Sequence, residues 1–181
     1  MTRRFSARPV ATDDLNRVLD AARRAPSAGA TCGVEYLVFA DESDLARFWA
    51  LASEMSWRGS GRPSTSVLRA PVVAMPIADP DAYVERYSSE DKAHSSLHGL
   101  PAASWPVPYW IVDAAFSVML FLLAATDIGL GALFFRLHAP ERDVLAGLGL
   151  PPDRVTIGAV ALGYPADDTS AEPFAPSVDG R

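Results

Sequence analysis

Apolar residues recur along this chain with two periods, and the change from one to the other marks out its elements. Leu15, Val18, Leu19 and Ala22 fall on one stripe of a helix over 12–25, with Thr12 or Asp13 as its cap, Asp13 and Asp14 in its first turn and Pro26 as its stop. The run VEYLVFA, 34–40, alternates and is rich in β-formers, which predicts a strand. A second helix over 42–55 gathers Leu45, Phe48, Trp49 and Ala52 on one side. The Gly/Ser/Pro-rich stretch 56–68 reads as a loop. APVVAMPIA, 70–78, reads as a buried strand, and Pro76 within it points to an edge or a bend. A short helix over 79–87 has proline in its first turn, and 88–108 is irregular.

From Tyr109 to Asp127 the pattern loses its polar side, so this helix must be covered all round, most easily in a dimer. A strand over 129–135, a helix over 140–150 and a strand over 154–165 follow, and 166–181 is an acidic tail without a core pattern. The order α-β-α-β-α-α-β-α-β predicts an α+β sandwich, a central mixed sheet flanked by helices, as a single domain over 1–181.

Composition narrows the function. At 181 residues and 49% apolar the chain is long enough for one core. The formal charge of −6 argues against nucleic acid as a partner, because phosphate neutralisation needs clustered cations. The only lysine is Lys92, a skew that reflects genome composition. One cysteine, no apolar core segment near the start and a greasiest run of about a dozen residues (Ala114 to Ala125) lead us to expect a soluble, cytoplasmic protein with no membrane partner.

Several segments in order resemble the nitroreductase family of FMN-dependent oxidoreductases: Arg3-x-Phe5-x-x-x-Pro9-Val10, then LNRVLDAARRAPSAG; LRAPVVAMPIAD; the apolar helix leading into Gly129-Leu130-Gly131-Ala132; and LGLPPDRVTIGAVALGYP. The resemblance implies a nitroreductase-like homodimer with FMN at the subunit interface. It also implies hydride transfer from NAD(P)H through the flavin to a nitroaromatic, a quinone or another electron-poor small molecule. Carried over position by position, it places the flavin phosphate near Arg3 and Arg4, with Arg8 a weaker substitute. It lays the ring against Pro26, Ser27, Ala28 and Gly29. It sets Gly129, Leu130 and Gly131 on the strand facing N5, with the N–H groups of Arg136 and Leu137 nearest that atom. No side-chain acid or base stands out, since the chemistry belongs to the cofactor.

Where the family usually has Asn, Gln and Trp, this loop has Ala30, Cys32 and Val34, which leaves its backbone N–H groups as edge donors. After Gly163-Tyr164-Pro165 come Asp167, Asp168 and Glu172 in place of basic residues, and only Arg181 remains. These departures keep a second reading open: a non-catalytic or weak flavin or deazaflavin binder, or a partner subunit, on the same fold. Asp113 reads as a first-turn cap, Cys32 as a small apolar residue, and His94 and His98 as loop residues without a third metal ligand. WPVPYW, 105–110, reads either as an aromatic wall over a ligand or as core packing.

Overall fold

The computed structural model describes residues 2–60 and 63–166; the acidic stretch Asp167, Asp168, Glu172 and Arg181 lies outside them. Its elements in chain order are α1 (Thr12–Ala22), β1 (Val34–Phe39), α2 (Glu42–Ala52), α3 (Met55–Arg58), β2 (Val72–Ala78), α4 (Pro80–Tyr87), α5 (Tyr109–Asp127), β3 (Gly131–Phe135), α6 (Glu141–Gly147) and β4 (Ala159–Gly163). The expected order stands, with α3, which begins at the last residue of the helix expected over 42–55, and a 3₁₀ turn over Pro63–Arg69 formed largely within the stretch read as a loop. α1 starts after Ala11, without a side-chain cap, so neither Thr12 nor Asp13 caps it. α4 follows the expected pattern: Asp79 accepts from the N–H groups of Asp81 and Ala82, and Pro80 opens the helix.

The four strands lie in the order β1-β2-β4-β3, and every neighbouring pair is antiparallel. The sheet is therefore not mixed. β2 and β3 do run the same way, because the long connection through α4 and α5 carries the chain back to the same end. β4 returns between them, antiparallel to both, so no parallel pair shares hydrogen bonds.

Pro76 proves to be in a central strand, between β1 and β4. Pairing of β2 with β4 stops at Ala74–Val160, and Ala78 resumes on that side by exchanging hydrogen bonds with Val155 (2.8 and 3.1 Å). Alternate residues of a strand point the same way, so the N–H that Pro76 lacks would lie in this gap. A proline there removes no ladder bond.

Alternation along β2 divides the core. Val72 and Ala74 join Val160 and Leu162 of β4 beneath α1 and α5, where Val18, Ala22, Val118 and Phe121 are packed. Val73, Met75 and Ile77 face the other way, with Ala159 and Ala161, against Phe48 and Trp49 of α2 and Val144 of α6. The result is a helix–sheet–helix sandwich. A third cluster gathers Tyr83, Trp105 and Trp110 with Ala114 at the start of α5. Of WPVPYW the two Trp pack in the core, the Trp105 ring 5.1 Å from Tyr87 and 5.7 Å from Trp110, while Pro106, Val107 and Pro108 between them are exposed.

Within one chain α5 is not covered all round. Its inner face, Ala114, Val118, Phe121 and Ala125, is buried, while Phe116, Met119 and Leu123 are 47%, 55% and 58% exposed. At 19 residues and a mean hydropathy of 1.8 it is long and apolar enough to cross a bilayer by length and composition, more so than the sequence run suggested. Core helices of folded domains share that property, and α5 spends its inner face on α1 and the sheet.

Gly158, entering β4, holds φ at +134°, and a Cβ there would sit 2.5 Å from the carbonyl oxygen of Phe135. A backbone oxygen cannot swing aside as a side chain does. Gly158→Ala is expected to cost about 2–3 kcal/mol and to lower the melting temperature by roughly 5–10 °C, measured by thermal unfolding.

Candidate functional site

Asp113 is the fifth residue of α5 and only 4% exposed. It does not cap its own helix, whose N-cap is Pro108. Instead Oδ2 accepts three hydrogen bonds from other parts of the chain: from the Ser27 hydroxyl at 2.8 Å, the Ala28 N–H at 2.9 Å and the Tyr83 hydroxyl at 2.7 Å. The carboxylate therefore ties the end of the α1 loop and the middle of α4 to α5. Burial, followed by this bond to Asp113, raises the Tyr83 pKa above its ordinary value, so Tyr83 is a donor here.

The loop wraps tightly around that anchor. Gly29, Ala30 and Cys32 hold φ at 65°, 57° and 54°, and a non-glycine residue in that region costs about 1–2 kcal/mol. Its N–H groups turn inward: Ala28 to Asp113, Ala30 to the Ser27 carbonyl, Thr31 to the Ala28 carbonyl and Cys32 to the Ser27 hydroxyl oxygen. These amides, expected to line a flavin edge, already have partners. Gly29 is small for a reason inside the chain as well, since a Cβ there would lie 2.7 Å from the Tyr87 ring. The Arg86 Nε–H clamps the Gly29 carbonyl at 2.8 Å.

Beside the loop opens a cleft of about 540 Å³, walled by Ala22, Pro26, Ser27, Tyr36, Asp113 and Ser117. Ser117 donates its one hydroxyl proton to the Ala22 carbonyl (3.0 Å), so in the 3.0 Å Tyr36–Ser117 contact the Tyr36 hydroxyl donates. Burial pushes the Tyr36 pKa up to about 12, against the smaller lowering effect of Ser117. Cys32 and Glu35 also line the cleft, as does Arg23, whose guanidinium lies 3.7 Å from Asp20. The cleft offers apolar walls on which a flat ring can lie and acceptor groups that suit a ring N–H. A phosphate does not fit here, because Asp113 and Glu35 would repel it.

Of the expected ring contacts, Pro26 and Ser27 line this cleft; Ala28 and Gly29 lie behind it against Asp113 and Tyr87. The other expected residues lie elsewhere in the chain. Arg3 and Arg4 are exposed on a segment joined to the end of the sheet. There Thr2 donates to the Ala132 carbonyl (3.0 Å), Ser6 to Tyr164 (2.9 Å), and Ala166 to Arg4 (3.0 Å). Gly131 adjoins that segment, where a Cβ would collide with Thr2, while Gly129 turns the chain at φ +78° with open space about it. Leu130 is in the core under α1 and α5. Arg136 and Leu137 follow the opposite end of β3; Leu137 is buried against the α2 face, while Arg136 is exposed and bonds through Nε to the Leu137 carbonyl at 3.2 Å. Arg8 lies over the Tyr164 ring at 3.9 Å, and His98 pairs through Nδ1 with the Tyr87 carbonyl at 2.9 Å.

Tyr36, Tyr83, Ser117 and Arg23 escaped the sequence reading, and Asp113 was read only as a first-turn cap. Only the polarity of Asp113 and Ser117 in a greasy helix signalled them.

A sequence model described as "Nitroreductase family" matches residues 1–164. A protein of Archaeoglobus fulgidus named as a candidate NADH dehydrogenase/NAD(P)H nitroreductase is 27% identical over 167 residues, 91% of this chain and 79% of its own. The crystal structure of a nitroreductase family protein from Clostridium novyi NT superposes with a TM-score of 0.67 at 20% identity, covering 92% of this chain and 80% of that one. The structure of an FMN-dependent nitroreductase from Clostridium difficile R20291 gives 0.65 at 19% identity, covering 96% and 87%. At such identities the two structures show a shared fold.

Proposed function

This chain belongs to the nitroreductase family, and we propose that it is a flavin-dependent oxidoreductase whose site is completed by a second copy of itself. One observation carries the reading: the cleft beside Asp113 and the Arg3–Arg4 segment lie toward opposite ends of α5, with an uncovered apolar face between them. The ring cleft adjoins Asp113, and Arg3 and Arg4 adjoin Gly131, beyond the far end of the helix. At 1.5 Å per residue the axis from Asp113 to Asp127, the last residue of α5, is about 21 Å long, so the cleft and the arginine segment of one chain are well separated. A twofold pairing through Phe116, Met119 and Leu123, with the two helices antiparallel, sets the ring cleft of one subunit beside the arginines of the other. The acidic cleft then receives the ring, and the cationic segment receives the phosphate.

Bound FMN would supply electron transfer from NAD(P)H to an electron-poor acceptor. The chain's own part is to hold the ring against Pro26 and the Ser27 loop, fix that loop through Asp113, and keep water from one ring face. We place the protein in the cytoplasm, where its exposed Cys32 stays a thiol.

The purified protein is expected to keep flavin absorption after soaking in FMN and desalting, and to lose that colour on adding NADPH or NADH. Replacing Arg3 and Arg4 together by Ala is expected to weaken FMN binding at least about tenfold, the loss of roughly one charge-assisted hydrogen bond. A protein left colourless by soaking would sink the reading. The inward-turned loop donors favour a second reading, a flavin binder without turnover, and bound flavin that neither nicotinamide reduces would establish it.

A further inference from the structure

We infer that Asp113 sets the redox balance of a ring seated in this cleft, holding it toward the oxidised form. The inference rests on the flavin reading above and concerns what this chain does differently at that site.

All three groups at Oδ2 are donors, the two hydroxyls of Ser27 and Tyr83 and the Ala28 N–H, which is the surrounding an ionised, acceptor-only carboxylate needs. None of them is a cation, and Asp113 has no ion-pair partner among the described residues. The one cation lining the cleft, Arg23, has a side chain 71% exposed and lies beside Asp20. The other charged group of the lining, Glu35, is exposed and also negative. Asp113 is thus a buried anion whose charge is dispersed by hydrogen bonds and not cancelled.

Uptake of two electrons and one proton leaves the ring with a net negative charge. A fixed anion, itself buried at the wall of the cleft, opposes that charge more than it affects the neutral oxidised ring. A reduced ring here gives up its electrons the more readily, which suits electron-poor acceptors.

The test is the midpoint potential of bound FMN in the wild type, Asp113→Asn and Tyr83→Phe. An Asn carbonyl oxygen, with two lone pairs, can keep two of the three donors while the charge is gone. The variant is expected to favour the reduced ring at least tenfold, about +30 mV for a two-electron couple. Tyr83→Phe keeps the charge and removes one of the donors dispersing it, so the balance is expected to move the other way. A merely structural role would move both variants in the same direction. That result, or an unchanged potential in Asp113→Asn, overturns the inference. Should Asp113→Asn not fold, an upward shift in Tyr83→Phe overturns it equally, and a downward shift supports it. If the wild type takes up no FMN, the flavin reading fails and the inference with it; FMN bound at an unchanged potential sinks the inference alone.

Discussion

Leu123→Glu is expected to convert a dimer into a folded monomer. Phe116, Met119 and Leu123 follow one another at spacings of three and four, so they share a face of α5, and each is about half exposed in the single chain. Three large apolar side chains in a row on a helix that is apolar elsewhere form a patch that monomeric proteins seldom leave in water. In the antiparallel pairing Met119 lies nearest the twofold axis and position 123 faces the 116 end of the other helix, so two carboxylates lose their water against apolar rings without a partner. A cost of about 4 kcal/mol, roughly a thousandfold in the dissociation constant, is a modest estimate.

Light scattering should report twice the 19.4-kDa chain for the wild type and the single chain for the variant. Because position 123 is exposed within the chain, thermal unfolding of the variant, extrapolated to low concentration, should show little loss of intrinsic stability. Flavin retention should fall along with the dimer, since the ring cleft and Arg3 with Arg4 then belong to separated molecules. A wild type that is monomeric at micromolar concentration, or a variant that still dimerises, would remove the composite site.

Asp113→Ala should be among the most damaging single substitutions in the chain. It leaves the Ser27 hydroxyl, the Ala28 N–H and the fully buried Tyr83 hydroxyl without their acceptor, and each such donor costs about 1–3 kcal/mol. Water entering from the cleft recovers part of this, so a loss of about 3–5 kcal/mol and a fall in melting temperature of around 10 °C are expected. The left-handed conformations of Ala30 and Cys32 lose their support at the same time. Amide exchange at Ala28 and Cys32 should therefore quicken more than exchange in β2 or β4. A melting temperature equal to that of the wild type, with slow exchange at both amides, would mean that the three bonds do not anchor the loop.

How much of this was legible in the sequence follows from the distance over which each feature is determined. The bounds of α5 coincide with its apolar run, and β1 with its alternation, because a period of 3.6 or 2 is written in neighbouring residues. The stretch 56–68 carries no period, and its short α3 and 3₁₀ turn were missed for that reason. Pro76 was read locally, as a sign of an edge; its tolerance in a central strand depends on where β4 stops pairing. Ser27 and Gly29 were correctly placed in a loop after α1. The ring that Gly29 makes room for is Tyr87, and the partner of Ser27 is Asp113, 86 residues away.

The residues by themselves determined the element order, the two-sided burial of β2, the apolar α5 and the motifs that carry the family resemblance, all features of short windows or of their sequence. Tertiary structure alone decided that β4 enters between β2 and β3, that Asp113 anchors a distant loop, and that the cleft beside Asp113 and the arginine segment lie toward opposite ends of one helix. Hydrophobic patterning states which side of an element must leave water, and packing then chooses which of many distant groups meet it. A hydrogen bond between residues 27 and 113 exists only once that choice is made.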